Sequence, residues 1–101
     1  MKIRVSKVAE REMDRVFVYW AQRAGVEVAD RLIDSIEQRF QVLSDYPLAG
    51  RRCDEFAPGA LSFPAGNYVI YYRCKRGFVQ ILHVFHGARD QQKSFASKSD
   101  L

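Results

Sequence analysis

The side chains most able to do chemistry include two histidines, His83 and His86, which lie three residues apart in a largely apolar run. Side chains alternate between the two faces of an extended strand, so this spacing places the two rings on opposite faces. We expect His83 to share a face with Val79, Ile81 and Phe85 beneath a helix or at a sheet edge, and His86 to lie opposite, near the end of the strand, where functional residues are frequent. The spacing argues against a chelating pair, and no metal site is predicted.

Basic side chains form the second set with chemical potential. Arg73 and Lys75 share a face of one expected strand, Arg51 and Arg52 precede the strands in a loop, and Arg89 follows them. If they converge on one sheet face, they form a cationic patch with aromatic neighbours that can bind phosphates or stack bases. The same patch can bind an acidic protein. An ordinary solvated strand face is the third interpretation, and the residues alone leave all three open.

Other catalytic and cofactor patterns are absent from the sequence. No serine lies in a tight nucleophile turn, and no zinc spacing, phosphate-binding loop or dinucleotide glycine motif occurs. Cys53 and Cys74 are far apart and are interpreted as a reduced pair in a cytosolic protein. No cofactor is predicted.

Length and composition limit the architecture that can hold these residues. The chain has 101 residues, of which 48% are hydrophobic and 28% are charged, which is typical of one globular domain. No run approaches the roughly 18 apolar residues of a membrane helix. Charges interrupt the first residues where a secretion signal would need an apolar stretch. We therefore expect a cytoplasmic protein with no membrane association.

The formal net charge is +4, and it is unevenly distributed. Residues 1–50 carry eight basic and eight acidic side chains, whereas residues 51–101 carry eight basic and four acidic ones. The whole excess therefore belongs to the second half of the chain. We expect any surface that faces a polyanion or an acidic protein to lie there.

Hydrophobic spacing predicts two helices between one strand and three later strands. A helical stripe of apolar residues covers residues 7–24 and another covers 26–45, while the strand signals cover residues 2–5, 61–63, 68–74 and 78–85. Residues 47–59 are expected to be a loop and residues 64–67 a turn. Because helices and strands are segregated along the chain, the fold class is α+β. The helix hairpin should cover one face of an antiparallel three-stranded meander, with residues 68–74 as the central strand.

Four segments resemble the RelE/ParE superfamily of bacterial toxins, and specifically its ParE, or plasmid-stabilisation, branch. They are SKVAERE at 6–12, LSDYPLAGR at 43–51, FPAGNYVIYYR at 63–73 and ILHVFHGARD at 81–90. The resemblance covers one domain, residues 1–90, and leaves residues 91–101 as a polar tail without a recognised motif. It implies the same fold, and it implies a toxin that is neutralised by a cognate acidic antitoxin in a hetero-oligomer.

Two activities compete within that superfamily. ParE-like toxins act on DNA gyrase and are not hydrolases, whereas RelE-like toxins cleave mRNA on the ribosome by attack of a ribose 2′-hydroxyl on the adjacent phosphate. The nuclease reaction needs a base, an acid and cations, and the resemblance implies Arg73, His86 and Arg89 for these roles. No tyrosine follows Tyr72, so this set looks incomplete. The resemblance therefore favours a gyrase inhibitor, with the ribosome-dependent endonuclease as the alternative.

The resemblance leaves open whether the protein is an enzyme at all, and it favours a toxin that binds its target without catalysis. The residues expected to contact the antitoxin or the target come from the loop, the strands and the segment after them. They are Arg51, Arg73, Lys75, His86 and Arg89.

Overall fold

The computed structural model describes residues 1–87. Two helices and five strands follow one another along the chain: β1 (Lys2–Val5), α1 (Lys7–Ala24), α2 (Val26–Asp45), β2 (Arg51–Arg52), β3 (Ala60–Ala65), β4 (Tyr68–Lys75) and β5 (Phe78–His86). Both helices and β1 have the bounds that the sequence predicts. Neither helix in this part of the chain combines the length and apolar character that a membrane crossing requires. Arg89 and the tail 91–101 lie outside the described residues.

Local signals explain the helix hairpin. Ser6 caps α1, because its hydroxyl accepts a hydrogen bond from the backbone N–H of Ala9 at 3.0 Å. Gly25 separates the two helices with a φ of 97°, in the left-handed region that favours glycine. This single-residue link folds α2 back against α1.

The strands form one five-stranded sheet in the order β1-β5-β4-β3-β2. β1 pairs in parallel with β5, and the other pairs are antiparallel. The predicted strands at 68–74 and 78–85 each extend one residue further, and two differences are larger. The predicted loop contains the short edge strand β2, and β3 continues through Pro64 to Ala65, which confines the turn to Gly66 and Asn67.

The two faces of the sheet are covered differently. The helix face packs against α1 and α2, and its core includes Ile36, Leu43, Ile70 and Tyr72. The outer face carries a smaller apolar cluster formed by Cys53, Phe56, Ala60 and Tyr71. Tyr71 and Tyr72 are both 0% exposed, which confirms β4 as a central strand covered on both faces.

An irregularity in β5 changes which face its later residues occupy. Tyr71 pairs with His83 and Tyr72 pairs with Ile81, so Leu82 is an extra residue on β5. The extra residue inverts the alternation of side chains beyond it. The expectation that His83 shares a face with Ile81 is therefore wrong: His83 lies on the outer face beside Phe56, at a ring-centroid distance of 5.5 Å.

Candidate functional site: a basic outer sheet face

Arg73 and Lys75 share one face of β4, as the sequence predicts, and the structure shows that it is the outer face, because Tyr72 and Cys74 between and beside them pack on the helix side. Their partners on β5 are Gln80 and Phe78, respectively. Phe78 and Gln80 point outward because Val79, between them, belongs to the helix-face core. These four side chains occupy one end of the sheet, next to the turn between β4 and β5.

β1 contributes two further cations to the same end of this face. Lys2 aligns with Phe78 and Arg4 aligns with Gln80 in the parallel pairing. Ile3 and its alternate neighbour Val5 pack against the helix-face core, so Lys2 and Arg4 project from the outer face. We call Lys2, Arg4, Arg73 and Lys75 the basic end. Sequence reasoning missed its first two members, although the alternation of Ile3 and Val5 with basic residues was visible.

The basic residues of the outer face differ in whether a carboxylate pairs with them. Among residues 1–87, none of its four members forms an ion pair. Arg51 differs, because its guanidinium lies 3.6 Å from the carboxylate of Glu55. Arg52 is likewise 3.2 Å from Asp54. Within residues 1–87, those of these six basic side chains that have no carboxylate partner therefore all lie at the basic end.

The basic end has two distinctive features. The Arg4 guanidinium carbon lies 4.3 Å from the centroid of the Phe78 ring, a cation–π contact. Arg4, Gln80 and Arg73 align across the three strands. In this row the Nε of Arg73 and the Oε1 of Gln80 are buried, and neither has a hydrogen-bond partner within the described part of the chain. Buried polar atoms normally have a hydrogen-bond partner, so these two atoms are an exception.

Arg51 and His86 do not join the basic end. Arg51 pairs with Ser62 at the opposite edge of the sheet, and its side chain is 80% exposed. His86 pairs with Tyr68 and contacts that ring edge-on at 5.3 Å, on the helix face. Tyr68 and Arg73 are five residues apart on β4, which corresponds to about 16 Å along the strand. The predicted site residues therefore do not all meet on one surface. Arg73 and Lys75 lie at the basic end, Arg51 and His86 lie elsewhere, and Arg89 lies outside the described residues.

The other histidine, His83, takes part in a contact between α1 and β5. The Nδ1 of His83 lies 3.0 Å from Oε2 of Glu12, and Oε1 of the same carboxylate accepts a hydrogen bond from the backbone N–H of Val84 at 3.0 Å. β1 pairs only as far as Ile81, so this carboxylate caps the edge of β5 where its strand partner ends. No group of three or more His, Cys, Asp and Glu side chains within residues 1–87 is placed to hold a metal ion.

The loop between α2 and β2 is fixed by one tyrosine. The hydroxyl of Tyr72 donates to the carbonyl of Pro47 at 2.8 Å and accepts from the N–H of Gly50 at 2.9 Å. Burial raises the pKa of Tyr72 above its usual value, and the hydrogen bond from Gly50 offsets part of that increase. The Pro47-to-Gly50 turn, which belongs to the segment 43–51 quoted for the resemblance, is thus built around the Tyr72 hydroxyl.

The family model for the ParE toxin of the type II toxin–antitoxin system parDE matches residues 3–91. The chain belongs to this ParE toxin family. Toxin ParE3 of Caulobacter vibrioides is 30% identical over 88 residues, with 87% of this chain and 88% of that protein covered. Toxin ParE1 of Mycobacterium tuberculosis is 24% identical over 91 residues, with 89% of this chain and 93% of that protein covered.

Two solved structures share the fold of this ParE family member. A toxin–antitoxin structure described as the chromosomal ParDE system of P. aeruginosa matches with a TM-score of 0.76 at 20% identity, covering 85% of this chain and 95% of that one. The toxin–antitoxin complex RelBE2 of Mycobacterium tuberculosis matches with a TM-score of 0.65 at 24% identity, covering 84% and 95%. The predicted α+β fold, with a helix hairpin on one sheet face, is thus confirmed, and so is the resemblance to the ParE branch.

Proposed function

We propose that this ParE family toxin inhibits DNA gyrase by binding, and that an acidic cognate antitoxin keeps it inactive. Membership of the ParE family and the curated relatives named Toxin ParE support the toxin class. The observation that carries the choice of gyrase over ribosomal mRNA cleavage is the separation of Arg73 from His86. These are the two described residues of the nuclease set.

Cleavage of a phosphodiester by its neighbouring 2′-hydroxyl needs an acid or base and a cation around one phosphate. Arg73 projects from the outer face, whereas His86 lies on the helix face with its ring against Tyr68. Because they are on opposite sides of the sheet and about 16 Å apart along the strand, they do not meet at one phosphate. This geometry supports a toxin that acts by binding.

An antitoxin partner is supported by both charge and comparison. The matching solved structures are described as toxin–antitoxin systems, and the charge excess of residues 51–101 suits an acidic segment that folds on binding. We propose a hetero-oligomer in which Arg51, Arg73, Lys75, His86 and Arg89 contact the antitoxin or the target. Arg51 and Lys75 are exposed and available for such contacts.

Gyrase supercoiling and mRNA cleavage in a cell-free translation reaction, measured on the same purified full chain, test this proposal. We expect inhibited supercoiling or trapped cleaved DNA and intact mRNA. An acidic protein encoded in a neighbouring reading frame, if it is the antitoxin, should restore supercoiling. Undisturbed supercoiling together with ribosome-dependent mRNA cleavage would overturn the proposal in favour of the endonuclease, and inactivity in both assays would leave only an antitoxin-binding remnant.

A further inference from the structure

We propose that the basic end of the outer face binds the phosphate backbone of duplex DNA. This surface combines Lys2 and Arg4 from the start of the chain with Arg73 and Lys75 from the central strand. The proposal goes beyond gyrase inhibition, which by itself requires only a protein target. It gives the toxin a DNA contact of its own.

The sheet holds these four charges at regular positions. Lys2 and Arg4 are two residues apart on β1, as are Arg73 and Lys75 on β4, which places each pair about 7 Å apart. β5 separates the two strands, so the pairs lie about 10 Å from each other. Duplex DNA carries one negative charge per roughly 1.7 Å of its axis. A rectangle of this size therefore faces several phosphates at once.

The side chains between the charges suit phosphate oxygens. The contact between the Arg4 guanidinium carbon and the Phe78 ring holds this cation over the outer face. Across β5, the side chain of Gln80 separates Arg4 from Arg73 without adding charge. Arginine and lysine are among the side chains that donate hydrogen bonds to the phosphates of DNA.

An acidic peptide is the competing occupant, and strand pairing limits where it can bind. Peptide segments recognised by a sheet usually add a strand at a free edge or place apolar side chains in a groove. β5, at the centre of this surface, already pairs with β1 on one side and β4 on the other, so a peptide strand can be added only at the outer edge of β1. The aromatic side chain available here, Phe78, is covered by Arg4, which also removes a stacking platform for single-stranded bases. A duplex backbone needs neither feature.

Binding of a fluorescein-labelled 20-base-pair duplex to the purified chain, followed by anisotropy between 50 and 200 mM salt, tests this surface. Four phosphate contacts predict a slope of about −3.6 in a plot of log K against log salt concentration, which is a loss of about 150-fold in affinity over that range. The variant K2Q/R4Q/K75Q should reduce the slope to about −0.9 and weaken binding at 50 mM salt at least 10-fold.

A matched control removes the same charge elsewhere. Lys7, Arg11 and Arg15 are exposed on α1, so K7Q/R11Q/R15Q has the same net charge as the test variant and should keep the slope of the unmodified chain. Circular dichroism melting of both variants verifies folding. Equal weakening in the control, absence of binding at 50 mM salt, or equally effective competition by poly-glutamate would each overturn the proposal. Because gyrase is absent from the assay, its result is independent of the proposed inhibition.

Discussion

Replacement of Glu12 by alanine should destabilise the fold, because this carboxylate satisfies a backbone group that no strand can reach. β1 ends at Val5 and pairs with β5 only through Ile81. Beyond that point the N–H of Val84 faces the edge of the sheet, where the Glu12 carboxylate accepts its hydrogen bond at 3.0 Å. The other oxygen of the carboxylate lies 3.0 Å from Nδ1 of His83. Glu12→Ala leaves both groups without this partner.

The magnitude follows from the burial of the site. An unsatisfied buried donor costs about 1–3 kcal/mol, and the Glu12 side chain is 17% exposed, so water recovers part of that loss. We therefore expect about 1–2 kcal/mol in the free energy of unfolding. For a domain of this size, such a loss corresponds to a fall in Tm of roughly 4–16 °C. Glu12→Gln keeps an oxygen for Val84 and should cost about 0.5 kcal/mol.

Thermal and urea denaturation followed by circular dichroism measure these differences. Asp14→Ala is the matched control, because it removes an exposed carboxylate from the same helix and should change stability by about 0.5 kcal/mol or less. The reasoning is refuted if Glu12→Ala melts no lower than Asp14→Ala. If Glu12→Gln is as unstable as Glu12→Ala, the contact between the carboxylate and His83, and not the hydrogen bond to Val84, is the main contribution.

Two further predictions concern the loop around Gly50 and the response to high pH. Gly50→Ala places a Cβ 2.6 Å from the Tyr72 hydroxyl and should lower the free energy of unfolding, measured in urea, by about 1–3 kcal/mol. Leu48→Ala, at a 78% exposed position, should change that free energy little. Equal effects of the two substitutions would contradict the close packing at Gly50. Burial raises the pKa values of Cys53, Cys74 and Tyr72. Above about pH 8.5 the unfolded chain therefore releases protons that the folded chain keeps. Because of this difference, the free energy of unfolding should fall as the pH rises. A smaller fall in C53A/C74A between pH 8 and 9.5 would support this cause, and an unchanged pH dependence in that variant would contradict it.

Features encoded by neighbouring residues were predictable from the sequence. Both helices have the predicted bounds because the capping hydroxyl of Ser6 and the link at Gly25 lie next to the apolar stripes that they delimit. β4 was recognisable as a central strand because its residues are apolar on both faces. The two-residue strand β2 was missed, since Arg51 and Arg52 are exposed and pair only because β3 lies beside them.

The candidate site was predicted only in part. Arg73 and Lys75 share the outer face because alternation along one strand is a local property. The position of His83 depends on the extra residue Leu82, and a one-residue shift exchanges the faces of all later side chains. No property of the residues near position 82 announces that shift, so the alternation predicted from the sequence was wrong for His83.

By itself, the sequence determined the helix hairpin, the α+β class, the resemblance to the ParE branch and the net charge of +4. It assigned the charge excess to the second half of the chain, but the tertiary structure draws the basic end from both halves. The parallel pairing of β1 with β5 brings Lys2 and Arg4 from the electrically balanced half beside Arg73 and Lys75. Such a pairing joins segments more than 70 residues apart, and its partners are selected by burial of Ile3 and Val5 under the helices. Charge counted along the chain records how many cations there are, while strand order decides which of them meet.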